Sequence, residues 1–227
     1  MTFDNNAELL LRAFIHEIRN PLTTLYSTLQ LIETLHPEVK KFKYWSSLAF
    51  DIEHINLLID DFSNFTKSEH LNMRIFDLRA VLEHLSLSFA ASIASSEVEF
   101  TSEIDPSIHQ ITGDKTKLQE VFWNLLKNAY EAATPNSSIF FGAKKKKNQI
   151  LFLIKDTGCG ISDTQIPFIF DPFVTYKKGG SGLGLAISKR IIEAHEGSIS
   201  VTSSPTVGTT FYITIRTQDE HQNESGK

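Results

Sequence analysis

Apolar residues recur in alternating steps of three and four along two early stretches of the chain, as they do on a helix with one apolar face. The first stretch is Leu11, Ile15, Ile18, Leu22, Leu25, Leu29 and Ile32. The second is Trp45, Leu48, Ile52, Ile55, Ile59 and Phe62. A break at His36-Pro37 separates them, so the pattern predicts two long helices in an antiparallel hairpin. Two helices alone leave these stripes half covered, and pairing two hairpins into a four-helix bundle predicts a homodimer.

The pattern changes after about Glu69 to short alternating runs interspersed with helical ones. The alternating runs predict strands at 98–104, 139–143, 149–155, 198–203 and 209–216. The helical runs predict helices at 76–89, 117–132 and 181–196. The predicted fold class is therefore α+β, with a helical hairpin in residues 1–70 and an α/β sandwich in residues 71–227.

Composition and charge narrow the possible partners. The net charge of −5 provides no basic field for nucleic acid, and the lysine run 144–147 suits a turn between strands. No apolar run approaches the roughly 20 residues of a membrane span, and residues 1–10 lack a signal sequence. The single cysteine, Cys159, excludes an internal disulfide and fits a reducing compartment. These features predict a cytoplasmic location.

The two apolar stripes together form the seam of the hairpin. His16 follows the seam residue Ile15 by one position, so the His16 imidazole should point away from the hairpin core. Neutral imidazole is a nucleophile near pH 7, with a pKa of about 6.5. Glu17 could accept its proton, and Asn20 lies one turn further on the same face. A lone exposed histidine is nevertheless more often an ordinary surface residue, so only the surrounding segment His16–Leu22 distinguishes His16 from one.

Three later segments suit a nucleotide. Asn124 and Asn128 share a helix face and offer amide oxygens of the kind Mg²⁺ binds, although surface or capping asparagines are commoner. Asp156-Thr157-Gly158-Cys159-Gly160 follows an apolar strand. Its carboxylate could accept the adenine amine while its glycines let the base approach, but a simple tight turn would have the same residues.

The glycine string 179–184 opens a predicted helix, where free N–H groups favour phosphate. It lacks the Gly-Lys-Ser/Thr ending of a Walker A loop and does not follow a strand directly, as a dinucleotide fingerprint does. The polar stretch before it, which includes Lys177, is interpreted as a lid over the nucleotide.

The order and spacing of these segments resemble the catalytic core of sensor histidine kinases of the HisKA plus HATPase type, from about Leu10 to Arg216. An H box at His16 is followed by N, G1, F and G2 boxes at 124–128, 156–160, 170–173 and 180–184. The resemblance implies that His16 accepts the γ-phosphoryl group of ATP, with Glu17 as general base. It implies transfer to an aspartate of a response regulator receiver domain, and a regulator phosphatase activity supported by Glu17 and Asn20.

The resemblance also implies the residues that hold Mg²⁺ and ATP, with Asn128 as the metal ligand. The cofactor-binding set is Asn124, Asn128, Asp156, Gly158, Gly160, Lys177, Gly180, Gly182, Leu183, Gly184 and Thr210. Glu131 and Ser181 stand where many members have lysine and threonine. No sensor segment is recognisable, so the input partner is unknown.

Two other classes are compatible with parts of the pattern. An ATP-driven conformational machine of the same nucleotide fold needs a carboxylate to activate water, and the amide of Asn124 occupies the expected place. A binding scaffold with a dead nucleotide site is opposed by Asn128, Asp156 and the glycines. The histidine segment favours the kinase over both.

Overall fold

The computed structural model describes residues 5–177 and 179–217, with side chains from residue 13 onward. The described chain forms two compact units. The first contains residues up to Lys67 together with Thr175–Leu183, and the second contains Ser68–Val174 together with the residues from Gly184 onward. Of the helices in the described part, none is long and apolar enough to cross a membrane.

The first unit is a helical hairpin. Helix α1 spans Asn5–Leu35 and helix α2 spans Trp45–Lys67. A short 3₁₀ helix, Pro37–Lys41, connects them and buries Val39. Proline suits this first turn because the N–H that it lacks would have no helical partner there. The predicted hairpin is confirmed, and its connection is a structured turn.

The hairpin leaves its apolar seam only partly covered. The buried members are Ile15, Leu22, Leu29 and, on α2, Ile52, whereas Ile18, Ile32, Trp45, Ile59 and Phe62 are half-buried. Leu25 is 53% exposed, and on α2 Leu48 and Ile55 are also exposed. Leu11 lies outside the residues whose side chains are described. The prediction of half-covered stripes is confirmed for the rest of the seam.

The second unit is an α/β sandwich, as predicted. Its helices are α3 (Leu78–Ser92), α4 (Lys115–Glu131) and α5 (Gly184–Ala194). Its strands are β1 (Arg74–Asp77), β2 (Glu99–Ile104), β3 (Gln110–Gly113), β4 (Ser138–Lys146), β5 (Gln149–Asp156), β6 (Ser198–Ser204) and β7 (Gly208–Arg216). A 3₁₀ turn at Ile166–Phe168 lies between β5 and α5.

Five of these strands form one sheet in the order β2-β4-β5-β7-β6. The β2–β4 pair is parallel and the other pairs are antiparallel. Helix α4 packs on β4 and β5, and its Phe122 ring lies 4.7 Å from the Phe152 ring and 5.7 Å from the Phe141 ring, centroid to centroid. All three side chains are fully buried, so the core lies between this sheet and its helices.

The alternation on β5 brings a charged residue to the inward face. Ile150, Phe152 and Ile154 are buried at every second position, and Asp156 continues the series at the end of the strand. Successive side chains of a strand point to opposite faces, so Asp156 faces the helical side of the sheet. This placement begins the candidate site.

The β1–β3 pair and the start of α3 differ from the sequence predictions. Strands β1 and β3 were not predicted, and they pair antiparallel in a separate two-stranded sheet. The first predicted helix begins at Leu78, because Phe76 and Asp77 belong to β1 and the Asp77 carboxylate caps the helix by accepting the Ala80 N–H. Four-residue strands carry too short a pattern to be recognised by periodicity.

Candidate functional site

The H box lies on the exposed surface of α1. Ile15 is buried, whereas His16, Glu17 and Asn20 are all exposed. The predicted offset between the seam and the histidine is therefore confirmed. A nucleophile in this position is open to a phosphate donor approaching from solvent.

One turn from His16, an ion pair joins the two helices of the hairpin. The Arg19 guanidinium lies 2.7 Å from a carboxylate oxygen of Asp60 on α2. Both side chains are partly exposed, and such surface pairs contribute at most about 1 kcal/mol. The pair was not predicted, because only the antiparallel register of the hairpin brings positions 41 residues apart together.

In the second unit, the Asp156 carboxylate organises the G1 turn. Asp156 is 3% exposed, and its Oδ1 accepts the N–H groups of Gly158 at 2.9 Å and Thr209 at 3.2 Å. A Cβ on Gly158 would collide with the carbonyl of Ala132, the C-cap residue of α4. The glycine therefore lets the turn lie directly against the C-terminal end of this helix.

The other glycine of the G1 turn packs against the end of β6. Gly160 has a φ of 70°, and a Cβ there would meet the Ser204 carbonyl. The Cys159 N–H donates to the Ala132 carbonyl at 3.0 Å, and the Cys159 carbonyl accepts the Thr206 N–H at 2.9 Å. Backbone contacts on both sides thus hold the turn in one conformation.

The structure brings Thr209, and not the predicted Thr210, to Asp156. Thr209 is buried on the same face of β7 as Phe211 and shares a hydrogen bond of 2.9 Å with the Ser203 hydroxyl. Thr210 occupies the alternate position of the strand, so its side chain points to the opposite face. The burial pattern of β7 therefore favours Thr209 over Thr210 as the residue beside Asp156.

The N box lies on α4, where Asn124 and Asn128 are both partly buried. The Asn124 Nδ2 group donates to the Ser188 hydroxyl on α5 at 2.9 Å. A Cβ on Gly184 would lie 2.7 Å from Asn124 Oδ1, so the amide packs against the bare Cα of this glycine. The second asparagine follows one turn later on the same face.

The glycine string is divided between the two units. Gly184 is the first residue of α5, whereas Gly180, Gly182 and the buried Leu183 belong to the segment Thr175–Leu183 of the first unit. Helix α5 was predicted to start at 181, and it starts three residues later because Gly182 has a φ of 70°. Lys177 is exposed within the same segment.

A buried histidine at the end of α5 contacts the residue that caps α4. His195 is 5% exposed, and its Nε2 accepts the Asp114 N–H at 2.9 Å. Its Nδ1–H donates to the Ile191 carbonyl at 2.7 Å. Burial lowers the pKa of His195, and this outweighs the raising effects of the Ile191 hydrogen bond and the Asp114 charge. The ring is therefore held neutral, with its proton on Nδ1.

Asp114, its partner, caps α4. Burial by itself would raise the pKa of Asp114, but the carboxylate accepts N–H groups from Asn72 and Lys117 and the pKa lies below its usual value. The ionised carboxylate thus satisfies the free N–H groups at the start of the helix that carries both asparagines.

Comparison with protein families identifies both units. The family model described as "His Kinase A (phospho-acceptor) domain" matches residues 7–71. The model described as "Histidine kinase-, DNA gyrase B-, and HSP90-like ATPase" matches residues 113–219. The first contains His16, and the second contains all the residues of the N, G1 and G2 boxes. The chain belongs to the sensor histidine kinase family.

Two curated relatives of this chain are both named as kinases. The chain is 33% identical over 207 residues to the signal transduction histidine-protein kinase AtoS of Escherichia coli K12, covering 91% of this chain and 34% of the relative. It is 32% identical over 204 residues to sporulation kinase B of Bacillus subtilis 168, covering 88% of this chain and 47% of the relative. The chain thus spans a third to a half of the length of these relatives.

Solved structures share the fold of the histidine kinase chain. Full-length ShkA in complex with AMPPNP superimposes with a TM-score of 0.79 at 22% identity, covering 92% of this chain and 46% of that one. ThkA in complex with the response regulator protein TrrA gives a TM-score of 0.65 at 25% identity, covering 89% of this chain and 59% of that one. The likeness in both cases extends over hairpin and sandwich.

Proposed function

We propose that this chain is an ATP-dependent protein-histidine kinase that phosphorylates its own His16 and passes the phosphoryl group to an aspartate of a response regulator. The proposal rests on the co-occurrence in one chain of an exposed His16-Glu17 pair and a nucleotide-binding unit of the matching family. A response regulator is supported as partner by the complex of the related ThkA. The single cysteine supports a reducing, cytoplasmic location.

The observation that carries the nucleotide assignment is the pair of contacts made by α4. Its C-terminal end lies against the G1 turn and Asp156, and Asn124 lies against Gly184 at the start of α5. Asn124 and Ala132 are eight residues apart, which is about 12 Å along a helix. An extended nucleotide suits this spacing, with adenine at the Asp156 end and phosphates at the Gly184 end.

At the adenine end, the buried carboxylate of Asp156 would accept the exocyclic amine. The Gly158 and Thr209 N–H groups hold the carboxylate in place, and we assign Thr209 rather than Thr210 to this end of the site. Gly158 and Gly160 keep side chains out of the close approach between the turn and its neighbours. The fixed geometry lowers the cost of ordering the site when adenine binds.

At the phosphate end, the side-chain oxygens of Asn124 and Asn128 suit Mg²⁺, which prefers hard oxygen ligands and keeps several waters and phosphate oxygens. Mg²⁺ would neutralise charge on the transferring phosphoryl group. The first N–H groups of α5, which begins at Gly184, would face phosphate. We also propose phosphate contacts for Gly180, Gly182 and Leu183 and a place in the lid for Lys177, as the family resemblance implies.

In the chemical step, a ring nitrogen of His16 attacks the γ-phosphorus of ATP. The bond from the γ-phosphorus to the bridging oxygen breaks, ADP leaves with that electron pair, and Glu17 takes the ring proton. The product is a phosphoramidate, whose phosphoryl group then passes to the regulator aspartate. Asn20, exposed one turn from His16, would help to orient a water in a second activity as a regulator phosphatase.

The exposed residues of the seam support a homodimer. Leu25, Leu48 and Ile55 are large apolar side chains on one repeating position of the hairpin. Two copies facing each other would cover these positions in a four-helix bundle. The burial of each leucine would contribute about 1.5–3 kcal/mol.

The test is incubation of the purified chain with Mg²⁺ and γ-labelled ATP. We expect label on the protein that acid removes and alkali does not, as for a phosphoramidate, and no label on His16→Gln. The matched control is His36→Gln, because His36 is also an exposed histidine of the hairpin. Acid-stable label, or equal labelling of His16→Gln, would overturn the mechanism.

A further inference from the structure

Ser188 lies beside the proposed phosphate end, although no motif includes it. It is the fifth residue of α5 and only 1% exposed. Its hydroxyl lies 2.9 Å from two groups, the Gly184 carbonyl oxygen of its own helix and Nδ2 of Asn124 on α4. This one buried oxygen therefore joins the N box to the end of the glycine string.

Counting protons sets the direction of both hydrogen bonds. A serine hydroxyl has one proton to donate, and a carbonyl oxygen can only accept, so the proton lies toward Gly184. The contact with Asn124 is then donated by its NH₂ group. The reversed amide would put two acceptor oxygens on a hydroxyl with one proton, which would leave one of the buried contacts without a hydrogen.

The orientation of the amide decides what Asn124 offers to a nucleotide. With Nδ2 held by Ser188, Oδ1 lies against Gly184, where an added Cβ would be only 2.7 Å away. An amide oxygen binds a cation or accepts from water, whereas an amide nitrogen donates to phosphate. The hydrogen bond therefore favours Asn124 as a ligand of Mg²⁺ over Asn124 as a donor to phosphate.

We infer that Ser188 is a positioning residue that holds the Asn124 amide with its oxygen toward Mg²⁺; the inference rests on the proposed function. Ser188 does not touch the nucleotide in this scheme. Its effect should appear only when magnesium is present, and only while Asn124 is in place. A packing role would show neither dependence.

The test measures ADP binding to the full chain by calorimetry, in Mg²⁺ and in EDTA. Loss of a hydrogen-bond partner of a metal ligand costs roughly 10-fold in metal affinity or more. We expect Ser188→Ala to weaken binding about 10-fold in Mg²⁺ and to leave binding in EDTA unchanged. In an Asn124→Ala background, adding Ser188→Ala should change nothing further.

The matched control is Ser86→Ala. Ser86 is also a buried serine in a helix of the second unit, and its hydroxyl donates to the carbonyl four residues earlier, Leu82, at 2.9 Å. Its bond therefore resembles the Ser188–Gly184 bond without the asparagine. We expect normal binding in both conditions from this variant.

The outcomes separate the inference from the proposed function. Equal losses in Mg²⁺ and EDTA, or additive effects of the serine and asparagine changes, would overturn the positioning role alone. Wild-type protein that binds no ADP, or whose binding ignores both Mg²⁺ and Asn124→Ala, would overturn the proposed site and the inference with it. Magnesium-specific, non-additive loss supports both.

Discussion

The hairpin and the sandwich use apolar residues in different ways. In the sandwich, Phe122, Phe141 and Phe152 meet in a core that one chain closes by itself. In the hairpin, Ile15 and Ile52 are buried while Leu25, Leu48 and Ile55 on the same seam are exposed. A sheet backed by helices covers its own apolar face, whereas two helices have too few neighbours to cover theirs.

The candidate functional residues of the two units lie in correspondingly different environments. The hairpin presents His16 on an open helix face, where the proposed donor and receiver domain could both reach it. The sandwich holds Asp156 and Asn124 in fixed hydrogen bonds between buried elements. A residue that passes a group between partners needs access, and residues that hold a nucleotide need fixed positions.

The largest expected effect is on the stability of the sandwich, whose core one chain closes by itself. Phe122→Ala removes a fully buried ring that packs on Phe141 and Phe152, and should lower the free energy of unfolding of the sandwich by about 3–5 kcal/mol. Urea denaturation followed by circular dichroism measures it. Phe168→Ala, at a half-exposed ring of the 3₁₀ turn, is the control and should change little. Similar losses from both variants would show that this core is not the main source of stability.

The next effect tests the open seam. Leu25→Asp should convert the proposed dimer to monomer, because each subunit loses about 1.5–3 kcal/mol of apolar burial and gains a buried charge. Analytical ultracentrifugation measures the oligomeric state. Leu31→Asp is matched to it, since Leu31 lies on the same helix at 57% exposure but off the seam, and should remain dimeric. If both variants dissociate, or neither does, the seam is not the dimer interface.

The smallest expected effect is the pH dependence of the stability of the sandwich, which arises from the buried ring of His195. Burial lowers the folded-state pKa of His195 below its usual 6.5, so the folded chain binds fewer protons than the unfolded chain. The stability that depends on the neutral ring is complete above about pH 6.5 and is lost as the pH falls below that value. Asp114 stays ionised in this window, because hydrogen bonds hold its pKa below the usual 3.8.

Thermal melting of the wild type and of His195→Gln between pH 7.5 and pH 5.5, values chosen to bracket the histidine range, measures this effect. The wild type should lose stability across the range, and the variant, lower throughout, should lose less. The effect involves one proton and is therefore the weakest of the three. Parallel losses in both proteins would assign the pH dependence to other groups.

Local pattern predicted most of the elements. Steps of three and four predicted both hairpin helices, and alternation predicted the five strands of the main sheet. The turn predicted at 144–147 lies at 147–148 instead, because Lys144, Lys145 and Lys146 extend β4. The H box offset also followed from the seam. Helical periodicity and strand alternation are both repeats between near neighbours along the chain, so the sequence alone predicts them.

Other features depend on contacts between distant parts of the chain. Strands β1 and β3 were missed, because each is four residues long and takes its partner from a segment more than thirty residues away. Ser188 was missed because 64 residues separate it from Asn124, and His195 because 81 separate it from Asp114. No local period encodes such pairs.

The sequence by itself determined that a helical hairpin with an exposed His16 precedes an α/β nucleotide unit, since apolar spacing and short motifs specify both. Tertiary structure alone decided three hydrogen bonds between distant residues: from the Thr209 N–H to Asp156, from Asn124 to the Ser188 hydroxyl, and from the Asp114 N–H to His195. The physical reason is that hydrogen-bond partners and burial are set by the packing of elements, and residue type does not specify them.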